Sequence, residues 1–250
     1  MDNKFNIAVL IDGDNAQPKL IQAIIEEVSK YGKATIRRIY GDWTTPQMNG
    51  WKEVINQQSF NPVQKFAYTS GKNSTDSSLI IDAMDILHSK NVEGFCIVSS
   101  DSDYTGLAKR IREGGVFVMG IGQKKTPVAF VQSCEIFTYT ENIATEIEEE
   151  EHEEEVKTAT AKAKSRLKPK PAISTALIDK AFDISINEDE EAYIATIGSN
   201  LRKIDPSFDP RAFGYKTLTQ LFQNLPKYEI LKNVVNGLNH PLVKKKKGRR

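Results

Sequence analysis

Over the first 140 residues, short apolar runs alternate with stripes of helical spacing. Residues Ile7-Ala-Val-Leu-Ile11 are apolar without a break, and the acidic turn Asp12-Gly-Asp-Asn15 ends them. Such a run fits a strand covered on both faces, as in a parallel sheet. Residues 93–99 read as a second such strand, with the apolar run Phe95-Cys-Ile-Val98, and lead into Ser100-Asp-Ser-Asp103. Further strands are predicted at 34–40, 62–69, 116–121 and 136–139. Helices are predicted at 17–28, 47–60, 75–88, 104–112 and 128–134. In the first of these, Leu20, Ile21, Ile24, Ile25 and Val28 share one face, Pro18 suits the first turn and Gly32 reads as the stop signal. The alternation predicts an α/β unit, a parallel sheet flanked by helices with right-handed crossovers. A strand order of 3-2-1-4-5 would place the switch point between strands 1 and 4, with Asp12 and Asp101 flanking the crevice.

The pattern breaks after residue 140. Residues 148–155 are all Glu except His152, and Lys/Ala/Thr-rich sequence then runs to Lys168-Pro-Lys-Pro171. A block of like charge with few apolar residues cannot bury enough surface to fold alone, so 141–171 reads as a linker. One reading makes it a solvated spacer; the other has the Glu run mimic nucleic acid on a basic surface. Helical spacing resumes at 173–182 and 192–204. A polar turn and an amphipathic helix follow at 208–222. Two short strands, 228–235 and 239–243, meet at Asn236-Gly237, a hairpin signal. Helices followed by a small hairpin predict a winged helix-turn-helix-like domain over 172–243. Residues 244–250 form a basic tail.

Composition alters this picture little. Apolar residues make up 39% and charged residues 27%, ordinary values that leave the argument to the pattern. The net charge of +1 conceals the acidic linker and the basic tail. Cys96 and Cys134 both lie in apolar sequence and read as buried thiols of a reducing compartment. The N-terminal residues do not read as an export signal, and no apolar run approaches ~18 residues, so a cytoplasmic protein with no membrane contact is expected.

The chemistry gathers at the predicted strand ends. Asp12, Asp101 and Asp103 follow strands, and Asp76 lies where the polar loop Lys72-Asn-Ser-Thr-Asp76 enters a helix. Carboxylates collected on one sheet edge repel one another and call for a cation. Hard divalent ions, Mg²⁺ or Mn²⁺, take oxygen ligands, polarise a phosphoryl oxygen and activate water. Asp12, Asp76, Asp101 and Asp103 are therefore the candidate ligands. Asn15 would orient an acid, a water or a phosphate, and Thr75 and Ser100 would offer hydroxyls. Each acid also has a structural alternative: Asp12 and Asp14 could shape a turn, and Asp76 and Asp101 could cap helices. Asp85 points away from the apolar face of its helix, and Asp82 is left open. The three histidines show no metal or triad spacing.

Ile11-Asp-Gly-Asp-Asn15, Lys72-Asn-Ser-Thr-Asp76 and Val98-Ser-Ser-Asp-Ser-Asp-Tyr104 together resemble the three motifs of NYN domains, the PIN-like nuclease-fold group that includes the LabA/DUF88 proteins. The resemblance covers about residues 5–140. It implies a metal-dependent ribonuclease fold with its acids at Asp12, Asp76, Asp101 and Asp103, its Asn at Asn15, and 5′-phosphate and 3′-hydroxyl products. Some PIN-like members are inactive. Gly198-Ser-Asn-Leu201 and Phe208-Asp-Pro-Arg-Ala-Phe-Gly-Tyr-Lys216 resemble the OST-HTH, or LOTUS, module over about 172–243. That resemblance implies RNA binding, or docking of a protein partner in some members. Arg211, Tyr215 and Lys216 are the candidate contacts, although Phe213 and Tyr215 could equally be core. Before Gly198 this chain has Ala195-Thr-Ile where a Gly-Trp-like segment is expected.

The sequence thus reads as a nuclease domain (1–140), a linker (141–171), an RNA-binding module (172–243) and a tail. The expected activity is metal-dependent hydrolysis of RNA phosphodiesters, with Lys72 and Lys109 guiding the backbone. Two other readings remain. One is a catalytically silent RNA-binding or scaffolding protein. The other is a phosphatase using Asp12-Gly-Asp14 as its D-x-D pair, against which stand Asn15 and the lack of a clear Lys motif before Ser99.

Overall fold

The computed structural model describes residues 5–66, 74–144, 175–235 and 237–246. The chain divides into two compact units, Met1–Glu153 and Glu154–Arg250. Most of the expected linker, from 145, lies outside the described residues, as do Lys72, Asn236 and the tail from 247.

The first unit carries strands β1 (Phe5–Asp12), β2 (Gly32–Gly41), β3 (Asn61–Gln64), β4 (Gly94–Val98), β5 (Phe117–Gly122) and β6 (Ile136–Tyr139). They form one sheet in the order β3-β2-β1-β4-β5-β6, and every pairing is parallel. The helices are α1 (Ile21–Ser29), α2 (Trp51–Gln58), α3 (Ser74–Ser89), α4 (Thr105–Glu113), α5 (Val128–Ser133) and the helical residues 140–144, α6. The expected switch point is present: β1 lies between β2 and β4, with Asp12 level with Tyr40 and Ile11 level with Val98.

The unbroken apolar run of β1 has a direct cause. Ala8 and Leu10 face one core layer with Leu79, Ala83, Leu107 and Phe130. Ile7, Val9 and Ile11 face the other, with Ile21, Ile24, Trp51 and Ile143. Alternate side chains of a strand point to opposite faces, so a central strand of a sheet covered on both sides has no polar position to spare.

Local chemistry moves several boundaries. The helix expected at 17–28 opens as a 3-10 turn, Pro18–Leu20, before α1. The one expected at 47–60 opens as a 3-10 turn, Pro46–Gly50, before α2. Both turns begin at a proline, which has no N–H to give an α-helical ladder. Gly32 is not a helix stop: α1 closes at Lys30 in right-handed geometry, and Gly32 opens β2. There a Cβ would stand 2.4 Å from the Phe5 carbonyl oxygen, so close strand approach explains this glycine. The linker was expected from 141, but α6 carries Ile143, 2% exposed, into the core.

The second unit holds α7 (Thr175–Asp183), β7 (Glu191–Tyr193), α8 (Ile194–Ile204), α9 (Leu218–Gln223) and β8 (Tyr228–Leu231). The short strands β9 (Val234–Val235) and β10 (Leu238–Asn239) lead to β11 (Leu242–Lys245). A three-stranded antiparallel sheet, β7-β11-β8, backs the helices, and β9 and β10 form the hairpin that Gly237, at φ +81°, helps turn. The helix expected at 192–204 starts two residues late because Ala192 and Tyr193 pair with Val243 and Leu242. Sheet partners distant in sequence override the local helical spacing here. Ile178, Phe182, Ile197, Leu201, Phe222 and Val243 build this core. No helix among the described residues is long and apolar enough to cross a membrane.

Candidate functional site

The carboxyl ends of β1 and β4 and the first turn of α3 meet at one edge of the sheet. Asp12 is the last residue of β1 and is 1% exposed. Its Oδ2 accepts hydrogen bonds from Asn15 Nδ2 at 2.7 Å and from the Ser99 hydroxyl at 2.9 Å. Its Oδ1 accepts from the Asp14 backbone N–H at 3.2 Å. Ser99 Oγ in turn accepts from the Asp101 backbone N–H at 3.1 Å. This relay ties the acidic turn after β1 to the acidic turn after β4.

Beside it, Asp76, Asp101 and Asp103 each offer a carboxylate oxygen, and the three atoms lie within 4.8 Å of one another. Asp76 is in the first turn of α3 and accepts from the Tyr104 hydroxyl at 2.6 Å. Asp101 caps the 3-10 turn Ser102–Tyr104 by accepting from the Asp103 N–H at 2.9 Å. The structural alternatives read from sequence are thus realised as well: Asp12 shapes its turn and Asp101 caps one. A carboxylate that accepts one N–H keeps lone pairs for another partner, so capping and ligation are compatible.

The electrostatics are those of crowded acids. Burial raises the Asp12 pKa above the ordinary carboxylate range; the Asn15 and Ser99 hydrogen bonds oppose this, and Asp76 and Asp14 add to it. Burial also raises Asp76, against its bond from Tyr104, and Asp101, Asp103 and Asp14 push it further. Tyr104, fully buried, is held firmly protonated by burial and by the negative charge of Asp12 and Asp76, so it acts as a donor. The set is all oxygen and, among the described residues, short of positive charge; Asp76, Asp101 and Asp103 could hold a hard divalent cation, with Asp12 beside them.

The other candidates fare differently. Asn15 is in the relay. Ser100 Oγ accepts from the Gln123 N–H at 2.9 Å, a loop contact. Lys72 and the Thr75 hydroxyl lie outside the described residues. Lys109 is exposed on α4, and among the described residues no ion pair joins it to the acids. Asp82 is engaged by Arg38 and by the Tyr40 hydroxyl between α3 and β2. Asp85 is exposed. In the second unit, Arg211 is 13% exposed and grips Asp209 with Nε and Nη2 at 2.7–3.0 Å, so its charge serves the fold. Tyr215 packs partly buried against the core, and Lys216 is exposed. Sequence reasoning passed over Ser99 and the side chain of Tyr104. The available signal was a small hydroxyl directly after a fully buried strand, and an aromatic directly after the acids.

Comparison with known proteins agrees with this geometry. The chain matches the NYN domain over residues 6–148 and the OST-HTH/LOTUS domain over 166–239. Among solved structures, a protein of unknown function from Vibrio parahaemolyticus is 18% identical with a TM-score of 0.47, covering 56% of this chain and 94% of its own. An uncharacterized protein from Nitrosomonas europaea is 22% identical with a TM-score of 0.31, covering 37% of this chain and 92% of its own. No curated protein matches. The two domains in this order support a nucleic-acid function of ribonuclease type. With three carboxylates gathered at the β1/β4 edge and a matching profile over most of the first unit, the chain belongs to the NYN domain family and carries an OST-HTH/LOTUS domain after it.

Proposed function

We propose that this protein is a divalent-metal-dependent ribonuclease whose second unit helps to hold RNA. The observation that carries the reading is the approach of Asp76, Asp101 and Asp103, from α3 and from the turn after β4, to within 4.8 Å. Carboxylates so close repel one another and cost free energy unless a cation relieves them. Mg²⁺ or Mn²⁺ held there would polarise a phosphodiester and lower the pKa of a water. The chain supplies the rest. Asp76, anchored by Tyr104, and Asp101, anchored through Ser99, are fixed before any ligand arrives, so little reorganisation is needed. Asp12, held by Asn15 and Ser99 at the same edge, adds its negative charge to the cluster.

The phosphatase reading loses ground. A nucleophilic Asp12 needs a free, exposed oxygen, yet its Oδ2 is occupied by two donors and the residue is buried. The test is cleavage of labelled single-stranded, hairpin and G-rich RNAs with Mn²⁺ or Mg²⁺ and with EDTA. Asp101→Asn and Asp103→Asn variants run alongside. Cleavage that needs metal and is lost in both variants is the expected result. Tight binding without cleavage under every condition would move the reading to an RNA-binding adaptor.

A further inference from the structure

We propose that the carboxyl edge of the sheet is a track for one strand of RNA, with Phe66 stacking on an unpaired base away from the cleaved bond. The proposal rests on the ribonuclease reading and names its substrate as locally single-stranded. Three observations carry it. First, the ends of β3, β2, β1, β4 and β5 lie along a single edge, because all these strands are parallel. Gln64 is level with Gly41, and the Lys65 N–H still bonds the Gly41 carbonyl at 3.1 Å, so Phe66 leaves the sheet at that same edge. Second, Phe66 is 58% exposed there. Phe5, the other exposed phenylalanine among the described residues of this unit, sits at the opposite end of the strands. Third, the cleft beside the acids, lined by Asn15, Gln17, Ser99, Ser100 and Gln123, has room of about 10 Å³. That is about the room of one water and far too little for a base, so no base is seated in that cleft.

The spacing fits a strand lying across the edge. Three inter-strand steps separate β3 from β4, whose following turn carries Asp101 and Asp103, about 14 Å, so Phe66 meets a neighbouring base and not the one at the reacting phosphate. On the other side, the loop after β5 presents Lys124 and Lys125, both exposed. These lysines offset the repulsion between the acidic edge and a phosphate backbone. Stacking on an aromatic is tolerant of sequence but requires the base to be out of a duplex.

The experiment uses the full chain and a labelled single-stranded RNA that it cleaves, with one abasic nucleotide walked through the positions around the cleaved bond. One abasic position, at a fixed offset, is expected to lower kcat/KM by about 5- to 150-fold, the worth of one stacked base. Phe66→Ala should lower kcat/KM on the intact strand by a similar factor and abolish that abasic penalty. Phe66→Trp should restore both, and Lys124→Ala with Lys125→Ala should flatten the salt dependence. Unchanged kcat/KM and an unchanged abasic profile in Phe66→Ala would overturn the proposal. If the wild type cuts no RNA, the ribonuclease reading fails separately. The track is then judged by photocrosslinking of a 4-thiouridine strand in EDTA, where an adduct on Phe66 supports it and adducts confined elsewhere overturn it.

Discussion

Replacing Ser99 by alanine removes one oxygen and little volume, from a position 2% exposed. Two hydrogen bonds go with it, one to the Asp12 carboxylate at 2.9 Å and one from the Asp101 N–H at 3.1 Å. A hydrogen bond to a charged group contributes about 1.5–3 kcal/mol, and the orphaned N–H adds to the loss. The expected cost at pH 8 is about 2–3 kcal/mol, a fall in Tm of about 5–10 °C for a unit of this size. The two tryptophans of the chain, Trp43 and Trp51, both lie in the first unit, so their fluorescence reports that unit alone. The cost must also depend on pH. Asp12 has its folded pKa raised by burial, so the folded state holds the proton more tightly than the unfolded state. Stability therefore falls as pH rises from about 3.9 through the folded pKa. The Ser99 bond favours the charged form and limits that fall. In Ser99→Ala the folded pKa climbs further and the decline extends to higher pH. Below the folded pKa the carboxyl is neutral, and the difference shrinks to about 1 kcal/mol, one ordinary hydrogen bond. A Tm change under about 1 °C at both pH 5 and pH 8, against the shift expected for a unit of this size, would refute the relay.

Three more outcomes are expected. Asp76→Asn keeps the acceptor for Tyr104 but removes a charge whose folded pKa is raised, so in EDTA it should stabilise the first unit at pH 8 and have no effect below about pH 3.9; urea unfolding at the two pH values checks both halves. Mn²⁺ at a hundredfold excess over its Kd should stabilise the wild type by about 2.7 kcal/mol; an equal thermal shift in Asp101→Asn or Asp103→Asn would remove these residues from the metal set. Arg211→Ala should cost the second unit about 3 kcal/mol by removing the guanidinium that pairs with Asp209, which is 11% exposed; circular dichroism melts test this, and a variant that melts like wild type while losing RNA affinity would return Arg211 to the binding surface.

Much of the first unit was legible because burial wrote it into the sequence. A strand with no exposed face must be apolar throughout, so β1 and β4 announced themselves; the crossover rule fixes their handedness, while their place side by side was an assumption that the structure bears out. The acids were legible because they break those runs abruptly. Ser99 was not, since a small hydroxyl reads the same whether it faces solvent or a buried carboxylate 87 residues away in sequence. Nor was the pairing of Arg211 legible: a guanidinium near an aromatic reads as a candidate RNA contact, and only the structure shows its Nε and Nη2 on Asp209, two residues back. In the second unit, Ala192 and Tyr193 carried helical spacing, but β11, some fifty residues later, claimed them for a strand.

The placement of β1 against β4 has a bearing on how the chain is made. Ile11 and Val98 are neighbours in the sheet, with most of the first unit threaded between them. Loop closure over that length comes late, because its entropy must be met before the pairing returns anything. A nascent chain that stops short of β4 already contains Asp12 and Asp76, but neither Ser99 nor Asp101 to set beside them. The carboxylate edge therefore cannot assemble on the ribosome until β4 and the turn after it have emerged. On the proposed ribonuclease reading, the growing chain would stay without its metal site until that point of synthesis.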